Sequence, residues 1–488
     1  MFVSACLLLA GFLIAMVLPA AGASLGSPSV SVTGSATGNS LQSLSRNRSN
    51  SAATSLIPHW ITQDAQVRSL PGWLDNVPVL NSNSPEVIES DGILVSTFPP
   101  QDKKFPGAHL NLSLNGRFDI FAHHIAKPVH GDLGTLYLGV ILQNPGKEPV
   151  TVSILQAASF IEKTDAPFIQ LPDLAENPVG RLYAGAGDRT TDLILRGYTQ
   201  AGWPAQITIA PGQSKMLFAL PVPIHDHPPA NNCRSTIVKA QTTGKVYAGC
   251  LAMRARKDAA GRQRQPSLEE WEGLLRNGSL VTPRDRAPTA PKSTRNVIYG
   301  RVAGVSRGVT WRSLICKDLG GRVRLNIAPP GKTFSYVLST VEQGAFGTMN
   351  YQSAPLVVRY PDTAHKAFGN YGVRYELSLP LYNSLPEAHS VTVTIQSPYK
   401  SNVPDRHFNF REPPIERVFF RGTVRLRYRD DLGAERLRYV HLVLHQADKG
   451  KPLVTLKLLP SETRMVVVDY LYPPDCTPPQ VLSVETLD

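Results

Sequence analysis

Two histidine groups are the first candidates for chemistry. His123 and His124 close the run Asp119-Ile120-Phe121-Ala122-His123-His124, and His225 and His227 flank Asp226. On an extended strand His225 and His227 would share one face, the arrangement by which paired imidazoles grip a metal ion. Pro223 before them and Pro228-Pro229 after them place the pair on a loop instead, and no further ligand at a recognisable spacing follows. A periplasmic metal-assisted hydrolase using His123, His225 and His227 is therefore the alternative reading, with polar surface or capping histidines as the plainer one. His441 and His445 also share a strand face, but Arg438, Tyr439 and Gln446 mark that face as solvated. Gly304-Val305-Ser306-Arg307-Gly308 matches a nucleophile elbow in letters only. An elbow turns from a strand into a helix, whereas Val309-Thr310-Trp311 has strand character, so a β-turn is expected there. No catalytic residue, resident metal or cofactor is assigned.

A second kind of chemistry is adhesive. The strip from Arg359 to Tyr375 alternates rings, bases and glycines. Exposed tyrosines beside arginine can stack on sugar faces and hold acidic groups. Arg359, Tyr360, Tyr371, Arg374 and Tyr375 are the ligand-binding candidates. Packing of the same tyrosines into a sheet edge, with only their hydroxyls wet, is the competing use.

The elements that must position these residues read as strands. Forty-one prolines in 488 residues, about 8% against the usual ~5%, disfavour long helices and favour short strands joined by turns. Leu136–Gln143 is a strand, Asn144-Pro145-Gly146-Lys147-Glu148 a turn, and Pro149–Leu155 the returning strand. Ala205–Ala210, a Pro211-Gly212-Gln213-Ser214 turn and Lys215–Leu220 follow. The same layout recurs in Tyr375–Tyr382, Val391–Ile395 and Leu456–Val468, with matching features 241 and 249 positions later. This order suggests a duplicated unit. The fold class is mainly β: two antiparallel, Ig-like β-sandwich units with a mixed connector carrying one short helix. That helix starts at Ser267, with Glu270 three residues on as a capping box, and Asn277-Gly278 supplies a left-handed stop.

The expected organisation is a signal peptide over 1–23, a disordered Ser-rich leader over 24–65 and an extended segment over 66–116, with order starting near Leu70. The first sandwich covers 117–255, the basic connector 256–296, a β-rich middle region 297–368 and the second sandwich 369–488. The signal rests on the uncharged apolar run ending at Pro19 and the small residues Ala21–Ala23. Retention as an anchor is the rival, although it needs about 20 apolar residues and flanking charges. No later run is long and apolar enough to span a bilayer, so the mature chain carries no transmembrane span.

The formal net charge of +12, on an exported chain, points to an anionic polysaccharide or another envelope component and away from nucleic acid. A basic surface that only maintains solubility would look the same. Cleavage leaves Cys233, Cys250, Cys316 and Cys476, which allow two disulfides in any of three pairings. A hairpin turning at Thr242-Thr243-Gly244 would hold Cys233 and Cys250 out of register, so buried or singly bridged thiols are the simpler reading.

Five strips carry a resemblance: Pro71–Pro85, Phe121–Ala126, Ile298–Val305, Arg359–Gly372 and Leu471–Asp475. Together they resemble a family of exported proteins widespread in cyanobacteria and catalogued only as a domain of unknown function. The resemblance covers most of the chain from about residue 66. It implies an extracytoplasmic location in a photosynthetic bacterium and supplies neither an activity nor site residues. The resulting expectation is an exported, non-catalytic envelope or surface protein, in the periplasm or at the cell surface, that binds or organises an anionic glycan or another envelope component. Oligomeric state is open.

Overall fold

The computed structural model describes residues 57–129, 133–224, 230–291, 293, 297–319, 322–403 and 406–487. The expected signal peptide, most of the leader, and His225 and His227 lie outside the described residues.

Alternating apolar residues build the first sandwich. Leu138, Val140 and Leu142 on strand Leu136–Gln143 face Phe118, Ile120, Val152 and Val238 across one core, all of them inaccessible to solvent or nearly so. One layer pairs Gln206–Ile209 with Val150–Ile161, then with the first half of Asn232–Arg254, then with Leu114–Ala126. The other pairs Ser214–Val222 with Leu136–Gln143, then with the second half of Asn232–Arg254, then with Gly92–Ser96. The strand Leu136–Gln143 therefore does not form a hairpin with its successor. The turn at Asn144 carries the chain across the core to the opposite layer.

The expected hairpin at Thr242-Thr243-Gly244 is also absent. Asn232–Arg254 is one 23-residue strand that passes from layer to layer, with a register break between Thr242 and Val246. Gly244 serves close packing there: a Cβ on it would lie 2.8 Å from Val150 Cγ2. The glycine marks a tight approach of two strands and not a reverse turn.

The second sandwich repeats the plan. Arg374–Tyr382 pairs with Thr463–Leu471 in one layer, and His389–Gln396 pairs with Val454–Leu458 and Gln480–Thr486 in the other. Leu377, Leu379, Val391, Val393, Val466, Val468 and Leu482 fill its core. A buried asparagine, Asn144 or Asn383, stands at the equivalent layer crossing of each unit.

Neither unit is purely antiparallel. Pro78–Ser82 and Val87–Ile88 run parallel to Leu114–Ala126, Thr310–Leu314 runs parallel to Arg374–Tyr382, and Gln66–Ser69 runs parallel to Thr333–Leu338. These come from the N-terminal and middle segments, whose long connections reach either sandwich from outside and so can enter in either direction. The middle region is shared: Ala303–Arg307 and Ala354–Arg359 extend the first unit, whereas Thr310–Leu314 and Thr333–Leu338 extend the second. Order also begins earlier than Leu70, because His59–Asp64 pairs with His407–Glu412.

Two α-helices are present among the described residues. The expected one, α2 (Leu268–Asn277), carries its capping box: Glu270 N donates to Ser267 Oγ at 3.3 Å and Ser267 N donates to Glu270 Oε2 at 2.7 Å. It buries Trp271 completely against the first sandwich. Its stop differs from the left-handed form, for Gly278 is extended at φ −86°. The other helix, α1 (Ala186–Leu195), had no sequence expectation and wedges between the two units, touching strands of both. It covers the face of His441, which is fully buried with Nε2 2.7 Å from Asp188 Oδ2 instead of solvated. Ser306 lies inside a buried strand and is 2% exposed, so the elbow-like motif is neither an elbow nor a turn.

Candidate functional site

A cleft of about 430 Å³ opens where the two sandwiches and the middle region meet. The first unit contributes Asn81, Asn83 and Glu86 from the segment around strand Pro78–Ser82, and Phe121 from Leu114–Ala126. The middle region supplies Tyr299, Arg301 and Phe368, and the second unit Tyr371, Tyr399, Lys400, Arg417 and Phe419. Tyr299 and Phe368 pack with ring centroids 4.5 Å apart, and the Tyr299 hydroxyl accepts from Gln343 N at 2.8 Å. Burial pushes the Tyr299 phenol up to about 12.

Two of the cleft's charges are internally satisfied. Arg301 pairs with the buried Glu86 carboxylate and lies 3.6 Å from Asp285. Burial raises the pKa of Glu86, and Arg301 opposes that rise.

Lys400 and Arg417 are arranged differently. Their cationic groups stand 5.5 and 5.4 Å from the Phe419 ring centroid. Neither forms an ion pair with a carboxylate among the described residues, and Arg417 Nε is buried without a hydrogen-bond partner. Burial, reinforced by the neighbouring Arg417, pulls the Lys400 ammonium down to about 8. Holding two partly buried cations side by side without a counter-ion is unfavourable. An arriving anion would relieve both the repulsion and the missing hydrogen bond. The other unit offers the converse: Asn81 Oδ1 and Asn83 Oδ1 are buried acceptors with no donor among the described residues, each residue being 6% exposed. The cleft is thus lined by cationic donors from one unit, amide acceptors from the other, and aromatic rings.

The five strip residues are not brought together on one surface. Tyr371 alone among them lines the cleft, its hydroxyl donating to Cys476 O at 2.9 Å. Tyr360 is in the first core, accepting from Ser96 N at 3.0 Å and donating to Ala108 O at 2.7 Å. Tyr375 is in the second core, stacked on Tyr470 with centroids 5.2 Å apart. Arg359 donates to the carbonyls of Tyr360, Pro361 and Thr363. Arg374 pairs with Asp469 at 2.9 Å and Glu376 at 3.2 Å. Strands occur in this strip only at Arg359, Lys366–Ala367 and from Arg374 onward, and the turns between them deliver Tyr360 and Tyr375 into two different cores.

His123 is 2% exposed, with Nδ1 2.7 Å from Ser235 Oγ. His124 is held at both ring nitrogens, 2.8 Å from Ser82 Oγ and 2.8 Å from Pro85 O, and burial lowers its pKa to about 3. Among the described residues no group of three or more His, Cys, Asp or Glu side chains is placed to hold a metal ion. Cys233, Cys250, Cys316 and Cys476 are all unbridged, and three of them are buried. No described helix is long and apolar enough to cross a membrane.

Sequence reasoning missed Asn81, Asn83, Lys400 and Arg417. The two pairs are separated by over three hundred positions, and neither carries a local motif. The only available hint was compositional, a basic excess with no assigned counter-charge.

A comparison with curated proteins finds no match. Among solved structures, procruciferin, an 11S globulin from Brassica napus, aligns over 82% of this chain and 86% of its own at 8% identity, with a TM-score of 0.09 that supports no inference. A family model described as "Protein of unknown function (DUF3370)" matches residues 65–486, which takes in both sandwiches and every residue of the cleft, and the chain belongs to that family.

Proposed function

We propose that this protein is an exported, non-catalytic binding protein of the cell envelope that holds an anionic glycan in the cleft between its sandwiches. The observation that carries the reading is the pair Lys400 and Arg417, set over Phe419 and facing the cleft with no carboxylate partner among the described residues. A charged sugar substituent between them replaces repulsion with two charge-assisted contacts. The unpartnered amide oxygens of Asn81 and Asn83 favour a ligand with hydroxyl donors, and the ring faces of Tyr299 and Phe368 favour one with a flat C–H face. A glycan has all three. The N-terminal apolar run and the net charge of +12 support export and an anionic partner.

Calorimetric titration with two acidic series, oligogalacturonates and sulfated oligosaccharides, and with neutral oligosaccharides tests the reading. An acidic series should bind, with affinity falling as salt rises, and Lys400→Ala with Arg417→Ala should abolish binding. Equal binding of neutral and acidic sugars, or no effect of the double substitution, overturns it.

A further inference from the structure

Beyond the cleft, His59–Asp64 and His407–Glu412 form a two-stranded ribbon. Residues directly opposite in an antiparallel pair share a face, so Trp60 and Arg411, and likewise Thr62 and Asn409, project together. The other face carries Ile61, Phe408 and Phe410 into a small core. The outward face is thereby fixed by burial of its reverse. On it Trp60 is 54% exposed, Thr62 Oγ1 donates to Asn409 Oδ1 at 3.1 Å, and Arg411 has no side-chain ion pair or hydrogen bond among the described residues.

This face joins the cleft. Tyr399 lines the cleft, its backbone N–H donates to Asn409 O at 2.8 Å, and its ring is 5.4 Å from that of Trp60 at an interplanar angle of 84°. Tyr399 is itself 47% exposed. A path therefore runs from the cations Lys400 and Arg417, past Tyr399, to an indole with the Arg411 guanidinium opposite it in the ribbon.

Resting on the anionic-glycan reading, we infer that this ribbon face is a second subsite and that the ligand is a chain of acidic sugars instead of a single one. One end of the chain sits in the cleft, and the following sugars lie along the ribbon. A six-residue strand is about 20 Å long, room for several sugars. Trp60 provides a stacking surface, Arg411 faces a further acidic group, and Thr62 and Asn409 meet hydroxyls. The alternation of ring, cation and small polar groups matches an acidic saccharide better than the continuous apolar patch of a protein interface.

The test is calorimetric titration of oligogalacturonates and sulfated oligosaccharides graded from one to eight sugars. Affinity should rise with length. Trp60→Ala should weaken the longest oligomer by about tenfold, as loss of one aromatic contact would, and leave the shortest binder unchanged. Trp60→Phe should recover part of the loss. Arg411→Ala should weaken long oligomers and flatten their salt dependence. Length-independent affinity, or an equal loss for short and long oligomers, overturns the second subsite while leaving the cleft reading intact. Absence of binding at every length, with Lys400→Ala and Arg417→Ala also silent, sinks both.

Discussion

Asn144 Nδ2 donates to Glu148 O at 2.7 Å and Ile209 O at 3.0 Å, and Asn383 Nδ2 donates to Glu387 O at 2.7 Å and Leu458 O at 3.0 Å. Oδ1 of Asn144 accepts from Gly146 N at 2.8 Å and that of Asn383 from Leu385 N at 2.9 Å. Their backbone groups match as well: the N–H groups donate to Gln213 O and Glu462 O, and the carbonyls accept from Gly212 N and Ser461 N. One buried amide therefore ties two layer crossings together in each sandwich. Five equivalent bonds at corresponding places, with strand pairing that also corresponds, are the structural mark of a duplicated unit.

Removing either amide strands carbonyls that water cannot reach. Asn144→Ala and Asn383→Ala should each lower stability by about 3 kcal/mol, read from urea unfolding monitored by tryptophan fluorescence and circular dichroism. Similar losses at the two sites are expected from their equivalence.

The two units carry different residues at the left-handed position of that crossing. Gly212 has φ +69° and its counterpart Ser461 has φ +60°, a left-handed conformation that costs a residue with a Cβ but not glycine. Ser461→Gly should raise stability by about 0.5–1 kcal/mol. A thermal melt that moves down instead would contradict the strain.

Lys400 makes ligand binding and stability respond oppositely to pH. Its folded pKa of about 8 lies below the ordinary 10.5, so between these values the unfolded chain binds more protons and stability rises with pH. Binding of an anion needs the ammonium and should weaken as pH climbs through about 8. Lys400→Met should remove both trends, as measured by titration and denaturation between pH 7 and 10.

Arg374, a candidate on sequence grounds, is assigned by the structure to scaffolding. Asp469 is fully buried and meets Arg374 at 2.9 Å, Arg425 at 3.0 Å and Arg427 at 3.2 Å. Arg374→Ala should cost about 1–3 kcal/mol of stability and leave ligand affinity unchanged, seen by pairing a melt with a titration.

The three buried thiols should be silent in the native state. Burial pushes Cys250 up to about 12 and raises Cys476 well above the usual thiol range, and Cys233 is buried too. Of Cys233, Cys250, Cys316 and Cys476, native alkylation followed by mass spectrometry should label Cys316 alone. A reducing agent should leave the melting temperature unchanged. Labelling of Cys250 before unfolding would disprove the packing.

The β class, the repeated pattern and the capped helix were legible because each is written locally. Alternation of apolar residues sets a strand's buried face, and Ser267 with Glu270 sets a helix start within one turn. The hairpin at Thr242-Thr243-Gly244 was misread for the opposite reason. A glycine serving a reverse turn and one serving close contact with Val150 look alike until the neighbouring strand is in place. The same holds for Tyr360 and Tyr375, whose composition suited a sugar platform while each was buried in a different core.

What the sequence determined by itself was the β class, the strand segments and the capped helix, since hydrophobic periodicity and capping act over a few residues. Only tertiary structure decided the cleft. Asn81 and Asn83 line one cleft with Lys400 and Arg417 because the N-terminal and middle segments pair with strands of both sandwiches, and α1 is wedged between the same two units. Whether a buried cation or amide has a partner depends on what the folded chain places beside it, and that is a property of packing across hundreds of residues.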